Sequence, residues 1–266
     1  MKLFIGLALV LLVLAFVAVL QVRKRQQQQK LQGLKWIQAL RMLLTHVQKH
    51  RGISTAFLSG NWNVDDELAE LKSSITRDIA AVSTLGDWIN QHDDWEGITR
   101  HWARLGGASE NLLFPKNFSQ HCKIIANILA LLDGVARAHK LSDGMQASMW
   151  HELLWVAELI GQCRALGVRI LSIHDKNPHQ VKQKQQIQKS LNEVNHLLEA
   201  TRLKKYLSAE QLSAVNNFVG YAQLNLLENV GVISAQEYFN QATATIDLIY
   251  ECFDREMQAL HRKIAD

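Results

Sequence analysis

LRMLLTHVQKHRGISTAFLS, residues 40–59, places Leu40, Leu44, Val47, Arg51, Ser54 and Leu58 at spacings of 4, 3, 4, 3 and 4. Residues three and four apart share a helix face, so this interval is the seam of an α-helix turned towards a bundle core. The same interval returns in Leu153, Ala157, Ile160, Arg164, Gly167 and Leu171, each 113 residues after its counterpart. The local text agrees: HRGISTAFLS (50–59) and CRALGVRILS (163–172) both run arginine, small residue, apolar residue, small residue, apolar pair, serine. Duplication of a helical hairpin and chance similarity of two amphipathic helices both account for the match.

Working outward from these seams, periodicity predicts helices near 31–59, 64–92, 117–140, 145–173, 179–204, 209–230 and 235–263, with a short helical turn around Trp95–Leu105. Ser208-x-x-Gln211 and Ser234-x-x-Glu237 fit capping boxes, in which serine and the residue three later satisfy free amides at a helix start. Gly60–Asn63 and Gly106-Gly107 read as turns. Pro115 and Pro178, the only prolines, fall where the periodicity has already broken. No run alternates with period two between hairpin turns, so the class is all-α: antiparallel bundles with short loops, either one large domain or two small bundles sharing long helices.

The chain opens with LFIGLALVLLVLAFVAVLQV, residues 3–22, apolar except for Gln21 and long enough to cross roughly 30 Å of hydrocarbon. It exceeds an ordinary signal-peptide core, and no small-x-small cleavage site precedes the glutamines. The organisation expected is therefore a transmembrane anchor at 1–22, a basic, Gln-rich neck at 23–34 and a helical domain at 35–266. Only Lys2 and the terminal amine precede the apolar run, whereas Arg23, Lys24, Arg25, Lys30 and Lys35 follow it. The positive-inside rule then puts the domain on the cytoplasmic side of a bacterial-type inner membrane, with one pass through the bilayer. Cys122, Cys163 and Cys252 are odd in number and widely spaced, and read as buried thiols of a reducing compartment. The net charge of +4 is concentrated in the neck, where it can meet anionic lipid headgroups; no basic stripe with interleaved aromatics follows, so nucleic acid is not an expected partner.

An ionised guanidinium on a buried seam loses hydration worth several kcal/mol unless an anion compensates it. Three readings of Arg51 and Arg164 compete. The arginines pair internally, with Asp133, Glu228 and Asp247 as candidate partners; or they extend to water along the protein surface. In the third reading they converge on one small anion, with Gly52, Ser54 and Gly167 making room and polar contacts. A planar guanidinium fork suits a planar oxyanion better than an ammonium does.

VQKHRGISTAFLSG (47–60) resembles the signature of the nitrate- and nitrite-sensing (NIT) domain, whose first helix carries Gln-x-x-Arg-Gly, here Gln48, Arg51 and Gly52. GQCRALGVRIL (161–171) is similar to that family's second arginine-bearing segment, and EYFNQATATIDLIYECF (237–253) to its terminal helix. The resemblance spans roughly 35–260. It implies two stacked four-helix bundles with nitrate or nitrite held between arginines at their interface. By motif Arg51 takes the first role and Arg164 the second, with Arg169 an alternative for the second. Family members usually join this domain to an output module, and many hold the sensor outside the cell between two spans; neither pattern is recognised here, so an unidentified signalling partner is expected.

His46 and His50 stand four apart, the spacing at which two imidazoles share a metal, but no third ligand is evident and no metal is expected. Trp88, Trp95, Trp102, Trp150 and Trp155 read as packing anchors. No phosphate loop, dinucleotide fingerprint or catalytic carboxylate pair occurs, so the chain is not read as an enzyme and no cofactor is expected. The leading expectation is a membrane-anchored oxyanion sensor that signals through a partner, with a homodimer left open. The rival is an anchored helical scaffold with no ligand.

Overall fold

The computed structural model describes residues 2–60, 62–141, 145–173, 178–199, 203–228 and 232–266, with side chains from residue 11 onward except at 62, 145–149 and 178–179. Among these residues the chain is all-α, with nine α-helices: α1 Lys2–Leu58, α2 Asp65–Thr84, α3 Asp87–Asn90, α4 Asp93–Ala108, α5 Phe114–Ala138, α6 Met145–Ser172, α7 Pro178–Glu199, α8 Ala209–Ala222 and α9 Ala235–Ala265. Helix α1 packs on α2 and α5, and α4 on α5; α6 packs on α7 and α9, and α8 on α9. The two groups meet where α1 and α5 touch α6 and where α1 touches α9. One apolar core runs through both, from Leu40, Leu44 and Val47 on α1 to Ile160 on α6 and Ile249 on α9.

Several boundaries differ from expectation for physical reasons. The expected helix 64–92 divides at Gly86, whose φ of 152° is one that side-chain-bearing residues rarely adopt and which lies against the Trp36 ring. The expected short turn around Trp95–Leu105 is the sixteen-residue α4. Asp93, Asp94 and Glu96 in its first turn favour the helix dipole, and Trp95, Ile98, Trp102 and Leu105 form its buried face. Gly106 and Gly107, read as a turn, lie within its last turn. Helix α5 begins at Phe114 rather than 117, with Pro115 in the first turn, where its missing amide costs nothing. Helix α8 ends at Ala222 and continues as a π-helical turn, Gln223–Leu227. The loop residues 142–144, 174–177, 200–202 and 229–231 lie outside the described residues, as does Asn61. At Ser208 both halves of the capping box form; at Ser234 the serine oxygen accepts from the Glu237 amide.

The neck is a helical part of α1, continuous with the apolar run, and it grips the domain. Gln27 Nε2 donates to the Ile264 carbonyl at 2.6 Å, Gln29 Nε2 to that of Ala138 at 3.1 Å and Gln32 Nε2 to that of Leu85 at 2.5 Å. Three helix C-termini, of α9, α5 and α2, thus have free carbonyls satisfied by glutamines of the neck. From Leu11 to Val22 every side chain of α1 is exposed, Phe16 to 64%. Among the described residues no helix is long and apolar enough to cross a membrane; residues 3–10 of the expected 3–22 span lie outside the described side chains.

Candidate functional site

The two seam arginines meet where α1, α6 and α9 come together. Arg51 is fully buried and forms a two-pronged ion pair with Glu158 of α6: Nη1 donates to Oε1 at 2.6 Å and Nη2 to Oε2 at 3.0 Å. The Glu158 carboxylate also accepts from Gln48 Nε2 at 2.8 Å and Gln162 Nε2 at 2.9 Å, and the Tyr250 hydroxyl donates to Gln48 Oε1 at 2.5 Å. Burial alone lowers the Arg51 pKa, and the adjacent Glu158 charge more than reverses that, so the guanidinium is held protonated. Internal pairing therefore accounts for Arg51, but through Glu158 rather than Asp133, Glu228 or Asp247. Glu158 follows Ala157 on the α6 face that meets α1. Asp133 instead pairs with His151 at 2.8 Å, and Glu228 and Asp247 are exposed.

Arg164 has no such partner. It is 3% exposed, its Nη2 donates to the Gln48 carbonyl at 3.0 Å, its Nη1 donates to Thr243 Oγ1 at 2.8 Å, and the Phe239 ring covers it with 4.9 Å to the centroid. Among the described residues no carboxylate lies within ion-pairing distance of it, and its buried Nε has no acceptor. Burial first, and the neighbouring Arg51 charge second, push its pKa down to about 10. The guanidinium is still ionised at neutral pH. Arg51, Arg164 and Glu158 together thus form a buried cluster carrying one uncompensated positive charge.

Glycines let the arginines come this close. A Cβ on Gly161 would stand 2.7 Å from Arg51 Nη2, and one on Gly52 would stand 2.9 Å from the Phe239 ring and 3.3 Å from Arg164 Nε. A cavity of about 320 Å³ opens beside this junction, lined by Lys49, Ile53, Val168, Phe239 and Thr243 among others. Phe239 and Thr243, which line it, both contact Arg164.

The other residues singled out in the sequence lie elsewhere. Ser54 Oγ donates towards Asn117 Oδ1 of α5 at 3.2 Å and does not face Arg164. Gly167 makes room for Tyr238, since a Cβ there would lie 2.2 Å from the ring. Arg169 caps the end of α1, its Nη1 donating to the Leu58 carbonyl at 2.7 Å, so it does not join Arg51. His46 bonds Asp78 at 2.5 Å, whereas His50 Nδ1 meets His121 Nε2 at 2.8 Å; among the described residues no three His, Cys, Asp or Glu side chains are grouped to hold a metal.

Sequence reasoning missed Glu158, Phe239 and Thr243 and assigned no role to Gln48, Tyr250 or Gly161. Glu158 had a signal: it is the one acidic residue between Leu153 and Ile173. Phe239, Thr243 and Tyr250 had none, because their positions depend on how α9 docks.

A family model described as nitrate and nitrite sensing matches residues 42–260. No curated protein matches the chain. Among solved structures, that of the NasR transcription antiterminator has a similar fold, with a TM-score of 0.74 at 13% identity over 96% of this chain and 74% of that one.

Proposed function

This chain belongs to the nitrate and nitrite sensing family, and on that premise we propose that it is a membrane-anchored sensor in which Arg164, backed by Arg51 and Gly52, binds one nitrate or nitrite ion and a partner protein reads the outcome. The observation that carries the reading is the uncompensated charge: two buried guanidinia face a single buried carboxylate. One monovalent anion neutralises the cluster. The unbonded Arg164 Nε is a donor of the kind a planar oxyanion accepts, and the cavity lined by Phe239 and Thr243 is the route in. The ion binds once Phe239 turns aside.

Signalling follows from what Arg164 ties together. It sits on α6 and bonds α1 through Gln48 and α9 through Thr243. Helices α1 and α9 run antiparallel from there, joined by the Arg41–Asp254 ion pair and ending where Gln27 holds Ile264. An anion that draws Arg164 away from either helix changes how α1 and α9 pack, and binds the two packings unequally, which is the requirement for a shift in population. The exposed apolar run Leu11–Val22, continuing the apolar residues before it, supports insertion in a bilayer with the domain on the cytoplasmic side of a bacterial-type inner membrane.

One observation favours the rival, a ligand-free anchored scaffold: Arg51 already has Glu158, so that arginine needs no external anion. Calorimetric titration of nitrate, with chloride and sulfate as controls, into the detergent-solubilised chain separates the two. Saturable nitrate binding that disappears in Arg164→Met supports the sensor. A folded protein that takes up no nitrate or nitrite makes the scaffold the better account.

A further inference from the structure

A cavity of about 700 Å³ lies far from the arginines, at the junction of the apolar run and the domain. Its wall gathers five cations from three separate parts of the chain: Arg23, Lys24 and Lys30 from the neck, Lys140 from the end of α5 and Lys263 from the end of α9. No aspartate or glutamate lines it, and among the described residues none of the five is in an ion pair. The same cavity is also lined by Leu20, which belongs to the exposed apolar run, and by Leu260 and Ile264 of α9. A wall that combines cations with apolar residues and adjoins an exposed apolar helix matches the two-part chemistry of an anionic phospholipid, phosphoryl group and acyl chain.

Lys140 supplies an independent observation. It is the one non-glycine residue among those described with positive φ, 52°, at the position after α5 where glycine is ordinarily favoured. The Leu141 amide donates to the Ala136 carbonyl at 2.9 Å, closing the turn around it. A side chain retained at a position that favours having none points to a use for that side chain. The glutamines fix the geometry, since Gln27 holds the end of α9 and Gln29 the end of α5 against the neck, bringing Lys263 and Lys140 to it.

We infer that this cavity is a binding site for the headgroup of an anionic phospholipid, with Lys140 and Lys263 as the residues that distinguish it from a merely basic neck. The inference rests on the bilayer anchoring proposed above. Lipid bound here bridges α1, α5 and α9 at the end of the helix pair opposite the arginine cluster.

The test exposes the detergent-solubilised full chain to an equal mixture of phosphatidylglycerol and phosphatidylcholine and measures retained lipid by native mass spectrometry. Flotation with pure phosphatidylcholine vesicles reports anchoring separately. The wild type is expected to retain phosphatidylglycerol preferentially. Lys140→Gln/Lys263→Gln is expected to weaken that retention about 25-fold, at about fivefold per charge, while still floating. Lys204→Gln/Lys205→Gln, an equal loss of charge outside the cavity, is expected to leave it unchanged. Equal retention of the two lipids, or a loss of the same size in both double variants, overturns the site while leaving the anchor intact. Displacement of phosphatidylglycerol by inorganic phosphate at low concentration assigns the cavity to free phosphate and overturns the lipid. A chain that does not float retires the anchor, and the lipid site with it.

Discussion

Replacing Arg164 with methionine tests whether the charge on α6 exists for the fold or for a ligand. A guanidinium whose pKa burial and the Arg51 charge push down to about 10 carries roughly 3 kcal/mol of unfavourable interaction in its charged form, which the substitution removes. Against that stands the loss of its hydrogen bonds to the Gln48 carbonyl and Thr243 Oγ1, about 1.5–3 kcal/mol each for a charged donor. The opposing effects largely offset one another, so Arg164→Met is expected to lower stability by no more than about 3 kcal/mol in urea unfolding without nitrate. Arg51→Met behaves differently, because it strands the buried Glu158 carboxylate and loses about 3–5 kcal/mol. With nitrate at one hundred times its dissociation constant, the wild type gains about 2.7 kcal/mol and Arg164→Met gains nothing. Unfolding followed by circular dichroism, with and without nitrate, reads all four quantities. A loss above about 4 kcal/mol in Arg164→Met alone would show that Arg164 is a structural cation, and continued stabilisation by nitrate would remove it from the site.

Glu158→Gln leaves two buried guanidinia with no carboxylate between them; it is expected to lower stability by about 3–5 kcal/mol and to make nitrate stabilise the protein more than it does the wild type, as thermal melts across a nitrate series would show. Gly167→Ala drives a methyl group into Tyr238 and separates α6 from α9, with an expected loss of about 1–3 kcal/mol in urea unfolding; no change would mean that Tyr238 swings aside freely. Acid should destabilise the fold through His50 and His121, which burial keeps neutral, His121 with a pKa lowered to about 3. Their folded pKa values lie below the unfolded one near 6.5, so the unfolded state binds more protons and stability falls as pH drops beneath about 6.5, by roughly 1.4 kcal/mol per pH unit for each histidine. Urea unfolding from pH 7 to about 4.5 measures that slope, and His121→Gln should reduce it; a flat profile would mean that both rings protonate without leaving the core.

The all-α class and the placement of most helices were legible because periodicity records which face of a helix is buried, and burial of that face is what the fold maximises. Arg51 and Arg164 were legible for the same reason, as charges on an apolar seam. What they contact was not. Arg51 reaches Glu158 across the α1–α6 interface, and Arg164 reaches back to the carbonyl of Gln48, pairings between residues more than a hundred positions apart that no local pattern encodes. Ser54 and Gly167 share the seam interval with the arginines, yet one faces α5 and the other admits Tyr238 of α9, because a seam residue meets whichever neighbour packs at its height.

The neck makes the same point. In the sequence the four consecutive glutamines mark only a basic, Gln-rich neck, since a side-chain amide has no apolar face to reveal a partner. In the folded chain three glutamines of the neck close the ends of three helices, because free carbonyls at helix termini need donors and the helix bearing the glutamines passes beside all three.

Composition and periodicity by themselves determined that this chain is helical, that its first residues form an apolar run, and that two arginines lie where charge is expensive. Only the tertiary structure decided which arginine has its counter-ion, which glycines admit a neighbour and where five scattered cations come together. The physical reason is range: hydrophobic spacing is a local property of one helix, whereas the pairing of charges depends on distances that exist only after the helices have docked.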